Sequence, residues 1–229
     1  DPSNGRLRVE SGVSLRSLVR LLLPRGWFVP VTPGTSDVTV GGMVAADVHG
    51  KNHHIDGCFG SYVDELLIRV ADGRVITCGP ANEPELFWAT IGGMGLTGHI
   101  LEVTFRMSRI PSPWITAESV RLDGIDTLLD ELHQSSSEWP FTVAWVDGLA
   151  AGTKLGRGIV YKGRWSEQTF GRESPMQPSR VPAVPFDLPH WVLNRWSVGR
   201  FNDGIYLHHG SRTRAYMQSP YEFFYPLDS

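Results

Sequence analysis

Apolar residues recur along this chain with two different periods, and the places where the period changes divide it into elements. Residues 6–11 read as a short strand. Ser14 is placed to cap a helix in which Leu15, Leu18, Val19 and Leu22 fall at i, i+3, i+4 and i+7, and Pro24 and Gly26 end it. Residues 27–31 are expected to form a buried strand. A hairpin follows at 65–78, folded about Asp72-Gly73. Asn82 to Glu85 carries an N-x-x-E capping pattern with Pro84 in the first turn, predicting a helix over 84–90 that takes Leu86, Phe87 and Trp88 into the core. A long strand is expected over 100–107. After Pro111 and Pro113 the pattern reads strand (118–122), then a helix capped by Asp123 with Ile125, Leu128, Leu129 and Leu132 on one face. Two strands follow, at 141–147 and 157–162. Residues 165–189 show little periodicity and read as loop. The tail from His190 is rich in aromatics and Arg and reads as an unfinished second sheet. The fold class is therefore α+β, with one domain over 1–111 and a second, incomplete one over 112–229.

The stretch 31–52 fits neither period. It places Gly34, Gly41, Gly42 and Gly50 among Thr35, Ser36, Thr39, Ala45 and Ala46, a composition from which no core helix or strand is built, although Ser36 and Asp37 are cap-type residues that could start a helix over 37–40. Backbone with so few side chains can approach a ligand closely and offer N–H groups to anionic oxygens such as a pyrophosphate. The plainer alternative is a set of tight turns packed on other backbone. His49, His53, His54 and Cys58 have spacings that suggest zinc, but Gly50 and Gly57 interrupt any helix that would align them, so no metal is expected. His53 or His54 is better read as hydrogen-bonding to the loop. His49 and Lys51, two apart in a Gly-framed segment, are expected to project toward one cavity as a cationic pair; a solvated surface lysine is the alternative for Lys51. A second glycine cluster, 92–98 (GGMGLTG), suits close passage of backbone along a flat ring or chain. Trp145, with Phe141 and Val143 on one strand face, is either core or part of a wall facing a ligand.

Composition narrows the classes. The 229 residues allow one large or two small domains. A net charge of −3 gives nucleic-acid binding no support. The longest apolar run, Leu21-Leu22-Leu23, spans no bilayer. Cys58 and Cys78 make no disulfide framework, which favours a reducing compartment: cytoplasmic, or periplasmic if a leader has been lost.

The runs VESGVSLRSLVRLLLPRGWFVPVTPGTSDVTVGGMVAADVHGKNHH and FWATIGGMGLTG resemble the FAD-binding domain of the vanillyl-alcohol-oxidase type, also called PCMH-type, of flavoenzyme. HGKNHH resembles the branch that oxidises a lipid-linked ribose phosphate, the flavin half of a cell-wall arabinose epimerase. The likeness is strong to about Thr104 and patchier beyond. It implies a PCMH-type FAD-binding domain followed by part of an antiparallel-sheet substrate (cap) domain, holding non-covalent FAD. Pro33, Gly34, Thr35, Thr39, Val40, Gly41 and Gly42 would line the pyrophosphate and ribityl region. His49, Gly50, Lys51 and Asn52 would pass close to the isoalloxazine, and Gly98 and Ile100 would lie near the flavin and adenosine. His49 matches the active-site histidine, with Lys51 beside it as a catalytic candidate. Lys51 and Trp145 match a sugar-phosphate pocket. The implied reaction is hydride transfer from a secondary alcohol carbon of a sugar or lipid-linked sugar phosphate to flavin N5, with a partner reductase and peripheral membrane contact as further expectations. The family's first pyrophosphate loop and its C-terminal segment, which holds a lysine often assigned as base, have no match here, so the chain is expected to be incomplete at both ends. An aldonolactone or alditol oxidase of the same superfamily, or a non-catalytic FAD-binding module, are the alternatives.

Overall fold

The computed structural model describes residues 3–167, 189, 191–209, 213–226 and 228. They form two compact units, each with its own antiparallel sheet, and the chain is α+β throughout.

The first unit holds residues 3–114, 165–167, 219–226 and 228. Strand β1 (Arg6–Glu10) leads to helix α1 (Leu15–Leu22), whose cap Ser14 accepts the Ser17 amide at 3.2 Å. Leu15, Leu18 and Val19 are buried as the spacing predicts, and Gly26, at φ +76°, turns the chain out of the helix end. The strand expected at 27–31 shrinks to β2 (Trp27–Phe28), because Pro30 has no N–H to continue a ladder. The Gly-rich stretch contains helix rather than only loop: α2 (Val40–Ala45) is capped by Thr39, whose hydroxyl accepts the Gly42 amide at 3.1 Å. Two glycines make poor helix, but Val40, Met43 and Val44 are fully buried against β1 and the later strand β5 (His99–Arg106), and that burial outweighs propensity. Gly41 permits the fit, since a Cβ there would lie 2.7 Å from the Ser11 Cβ.

A one-turn helix, α3 (His53–Asp56), leads to the expected hairpin of β3 (Val63–Arg69) and β4 (Val75–Cys78), turning at Gly73 with φ +90°. Helix α4 (Pro84–Thr90) forms without the anticipated capping box. Asn82 instead donates to the Thr77 carbonyl at 2.6 Å, and Glu83 takes the cap position in the left-handed region. Phe87 alone of the three apolar residues is fully buried, while Trp88 is 54% exposed. The sheet runs β1-β5-β3-β4, antiparallel at each pairing. Its core is Leu66, Ile68, Val103 and Phe105, with Phe59 edge-on to Phe105 at 5.2 Å. Strand β6 (Ser108–Arg109) pairs with β2.

The second unit holds β7 (Ile115–Leu122), α5 (Ile125–Glu138), β8 (Phe141–Val146), β9 (Gly158–Trp165), α6 (Arg195–His208) and β10 (Arg214–Gln218). Its sheet order is β10-β7-β9-β8. The cap of α5 is Gly124; Asp123 accepts the Tyr206 hydroxyl instead. Leu128 faces the core, whereas Leu129 is 55% exposed, so the apolar face is narrower than its spacing suggests. Arg157 ties the unit together. Its guanidinium donates to Asp147 at 2.9 and 2.6 Å and to Asp203 of α6 at 2.6 Å, and it lies 5.0 Å from the Tyr206 ring centre.

Two expectations for the tail change. The second sheet is closed on one side by β10, which pairs with β7 over Arg214 to Gln218. The chain then leaves that unit: α7 (Pro220–Phe224) and the residues after it belong to the first unit, not to the second as a single boundary at 111/112 would have it. The reason is aromatic packing. Phe224 sits 5.2 Å from Phe28 and 5.8 Å from Trp165, ring centre to ring centre, and Phe223, Phe224 and Tyr225 are buried. Most of the loop expected at 165–189 lies outside the described residues.

Candidate cofactor and substrate site

The Gly-rich stretch runs along the first unit in three parts. In the first, residues 31–37, Val31 is buried and Thr32 shares a 2.8 Å hydrogen bond with the Tyr225 hydroxyl. Pro33 is half-buried. Gly34 is exposed, and a Cβ built on it meets nothing within 4 Å, so its backbone borders open space. Thr35 and Ser36 hold a carboxylate. The Thr35 hydroxyl donates to Asp228 Oδ1 at 2.6 Å, and the Ser36 amide and hydroxyl donate to Asp228 Oδ2 at 2.6 and 2.5 Å. Arg16 of α1 pairs with Asp37 at 2.6 Å and approaches Asp228 at 3.8 Å. Burial pushes the Asp228 carboxyl up, but the Ser36 and Thr35 hydrogen bonds and the nearby guanidinium outweigh it, and the net shift is down.

The second part is the start of α2. Thr39 and Gly42 are exposed, while Val40 is wholly buried. The amides of Val40, Gly41 and Gly42 are already engaged, by Val13 O at 2.9 Å, Ser11 O at 2.8 Å and Thr39 Oγ1 at 3.1 Å. These glycines therefore serve close packing, and Gly42 keeps an exposed edge.

The third part is His49-Gly50-Lys51-Asn52. A Cβ on Gly50 would fall 2.7 Å from Asn52 Oδ1 and 2.9 Å from Thr32 O, so the segment passes directly against residues 30–32. Asn52 is buried and secures that pass, donating to Pro30 O at 2.8 Å and to Asp56 at 2.6 Å; its amide group is structural. His49 is exposed, with its ring 5.6 Å from that of His53. Lys51 is half-buried. Its ammonium donates to the Phe224 carbonyl at 3.0 Å and lies 5.9 Å from the centre of the Phe223 ring. Among the described residues it has no carboxylate partner. Burial lowers its pKa from the ordinary 10.5 to about 8.

The second glycine cluster clips onto the end of α2, with the Gly92 amide donating to Val44 O at 3.0 Å and the Met94 amide to Ala45 O at 2.8 Å. Gly98, at φ +151°, approaches the Arg69 carbonyl so closely that a Cβ would lie 2.5 Å from it. Ile100 is a core residue of β5, opposite Ile68. Trp145 belongs to the second unit, half-buried on β8 opposite Ile159. Within the first unit the fold thus joins residues 32–36, 50–52, 223–225 and 228. Arg16, Phe224, Tyr225 and Asp228 were not anticipated from the sequence. One local signal pointed to their element: Ser219-Pro220-Tyr221-Glu222 is a helix-start pattern, and Ser219 does accept the Tyr221 amide at 3.2 Å.

A family model described as an FAD binding domain matches residues 1–79. The chain is also 34% identical over 229 residues to decaprenylphosphoryl-beta-D-ribose oxidase of Mycolicibacterium smegmatis, an alignment covering 96% of this chain and 49% of that protein. The chain belongs to the PCMH-type FAD-binding family. Two other proteins are similar over shorter stretches. Delta(24)-sterol reductase of Mus musculus is 31% identical over 188 residues, 82% of this chain and 34% of that protein. D-arabinono-1,4-lactone oxidase of Yarrowia lipolytica is 30% identical over 98 residues, 43% of this chain and 18% of that protein. The chain thus spans about half the length of the first of these FAD-binding relatives and less of the others.

The donor set suits such a cofactor. An open glycine backbone at Gly34, the exposed Thr39 hydroxyl and a cationic Lys51 are groups of the kind that suit anionic oxygens, whereas the Thr35 hydroxyl is already given to Asp228. Neither cysteine is activated: burial and then Asp47 raise the Cys58 thiol, and burial raises that of Cys78 to about 11. Among the described residues no cluster of three or more His, Cys, Asp or Glu is arranged to hold a metal, and no helix is long and apolar enough to cross a membrane.

Proposed function

We propose that this chain is the flavin-holding part, with a portion of the substrate domain, of an FAD-dependent oxidoreductase that oxidises a secondary alcohol of a sugar or lipid-linked sugar phosphate. The observation that carries this reading is Lys51: a half-buried ammonium within the HGKN segment, given a carbonyl and an aromatic ring but, among the described residues, no counter-ion. A charge left in that state attracts an anion from outside the protein, and a phosphate is the natural one. FAD, when bound, supplies the hydride acceptor at its N5. The chain's own residues do the rest. Gly34 and Thr39 receive the cofactor's anionic oxygens, Thr35 borders them with backbone because its hydroxyl is held by Asp228, Gly41 and Gly42 let the cofactor pass close to α2, and Gly98 and Ile100 border it with backbone. His49 stands exposed at the edge of the HGKN segment to meet the reacting hydroxyl, and Lys51 holds the substrate phosphate or offsets negative charge as it develops. Trp145 supplies an apolar wall for the sugar. Attachment is non-covalent, which the unactivated thiols support.

A lipid-linked substrate brings the enzyme to a membrane surface. The exposed side chains of Trp191, Leu193, Trp196, Phe201 and Leu207 on and before α6, interspersed with Arg195 and Arg200, favour such peripheral contact. A partner reductase would complete an epimerisation. Similarity to the lactone oxidase favours a second reading, a neutral sugar lactone as substrate.

Absorbance before and after acid precipitation tests the cofactor: flavin bands moving to the supernatant support non-covalent FAD, and a colourless sample that takes up no added FAD refutes it. Lys51→Ala separates the substrates. A phosphate-bearing sugar should bind on the order of 10- to 100-fold more weakly, whereas a neutral lactone should lose little.

A further inference from the structure

The tie between Asp228 and residues 32–37 goes beyond what the family likeness implies. Ser36 is 1% exposed, yet its amide and hydroxyl both point to one carboxylate oxygen that arrives from 192 residues further along the chain. The Thr35 hydroxyl takes the other oxygen and, as acceptor, holds the Asp37 amide at 3.1 Å. Arg16, already paired with Asp37, adds positive charge, and its buried Nε has no partner among the described residues. On the α1 side the same stretch is fixed by Arg16 N donating to Ser36 O at 3.1 Å and Leu15 N to Val38 O at 2.8 Å. On its other side, among the described residues, Asp228 holds Thr35 and Ser36 and Tyr225 holds Thr32.

We propose that Asp228 is a positioning residue, its carboxylate filling an anion niche built by Thr35, Ser36 and Arg16 and so setting the conformation of residues 32–37. Gly34 has open space beside it and supplies no packing of its own, so the backbone around it is held from both ends, by α1 and by Asp228. Removing the carboxylate leaves three donors aimed at one point in a largely buried pocket, and the loop must open to give them water. An anion that enters the emptied niche reverses the effect. This assignment rests on the cofactor reading only in calling residues 32–37 a cofactor loop.

Amide hydrogen exchange of the full chain, without added FAD, tests it. In Asp228→Ala the amides of Ser36 and Asp37 should exchange on the order of 10- to 100-fold faster than in the wild type, the loss expected for hydrogen bonds to a charged group, while the β5 amides stay as protected as before. Added formate should restore slow exchange in Asp228→Ala and change nothing in the wild type. Asp228→Asn, nearly isosteric, keeps the experiment decisive if the alanine variant does not fold: it should speed the same two amides, and formate should not rescue it because the niche is filled. Unchanged exchange at Ser36, loosening that spreads evenly into β5, or failure of formate to rescue the alanine variant would each overturn the proposal. FAD titration by flavin fluorescence separates the two claims. Affinity about tenfold weaker in Asp228→Ala extends the role to the cofactor. A wild-type chain that takes up no FAD defeats the cofactor reading, and the exchange result still decides the role of Asp228.

Discussion

Lys51 of the first unit and Lys162 of the second are both withdrawn from water, and the protein treats them oppositely. Burial pulls the ammonium of Lys162 toward neutrality as well, but Glu118 at 2.6 Å and Glu131 at 2.8 Å more than restore the charge, and its pKa rises. Trp139 adds a ring face 5.5 Å away. Lys51 receives a carbonyl and a more distant ring, and its pKa falls to about 8. A buried charge with its counter-ions belongs to the scaffold; one without them among the described residues fits the anion-binding role proposed for Lys51. The same contrast separates Arg157, satisfied by Asp147 and Asp203 inside its own unit, from the open cation near residues 49–52.

The contrast can be broken most forcefully at Lys162. Lys162→Ala strands two carboxylates and should cost about 3 kcal/mol in urea denaturation; a loss below about 1 kcal/mol would remove the distinction between the two lysines. Next comes pH. Lys51 titrates lower in the folded than in the unfolded chain, so between about pH 8 and 10.5 the unfolded state binds the extra proton and stability rises with pH across that window. The gain should be roughly 2 kcal/mol after allowing for solvent at a half-buried group. It is read as the difference between wild type and Lys51→Met in denaturation at pH 7.5 and 10.5. Lys162, raised in the folded state, contributes fully below its unfolded value and weakens only as pH climbs through its folded one, so it does not mask the effect. Gly50→Ala probes the backbone pass that buries Lys51. The Cβ collision with Thr32 O and Asn52 should cost about 1.5 kcal/mol in thermal unfolding. The smallest effect is Lys51→Met at pH 7, expected to raise stability by about 0.5 kcal/mol because a costly buried charge is replaced by an apolar chain of similar length. A marked destabilisation there would make Lys51 a structural residue.

Much of this fold could be read from local signals. The Ser14-capped helix with its i, i+3, i+4, i+7 leucines and valine, the Asp72-Gly73 hairpin and the strand leading to Arg106 all depend on neighbours within a few residues. The family likeness came from a contiguous run that the FAD binding domain model also matches. The misreadings share a cause. Gly41 and Gly42 argue against helix by propensity, and only the burial of Val40, Met43 and Val44 against distant strands overrides it. Asn82 has the spacing of a cap, but the Thr77 carbonyl competes for its amide. The partners of the tail, β7 for β10 and Phe28 for Phe224, could not be read locally because neither lies near it in sequence.

Short-range pattern therefore establishes most of the element types in the first hundred residues, and a contiguous motif run the family, since helix caps, turns and backbone freedom are properties of a few consecutive residues. Packing across long separations decides the rest. It determines that Lys51 has no counter-ion among the described residues while Lys162 has two, that Gly50 must be glycine because Thr32 passes beside it, and that Asp228 closes on Ser36. Desolvation and charge pairing belong to the set of groups that surround an atom, and that set is assembled only when distant segments meet.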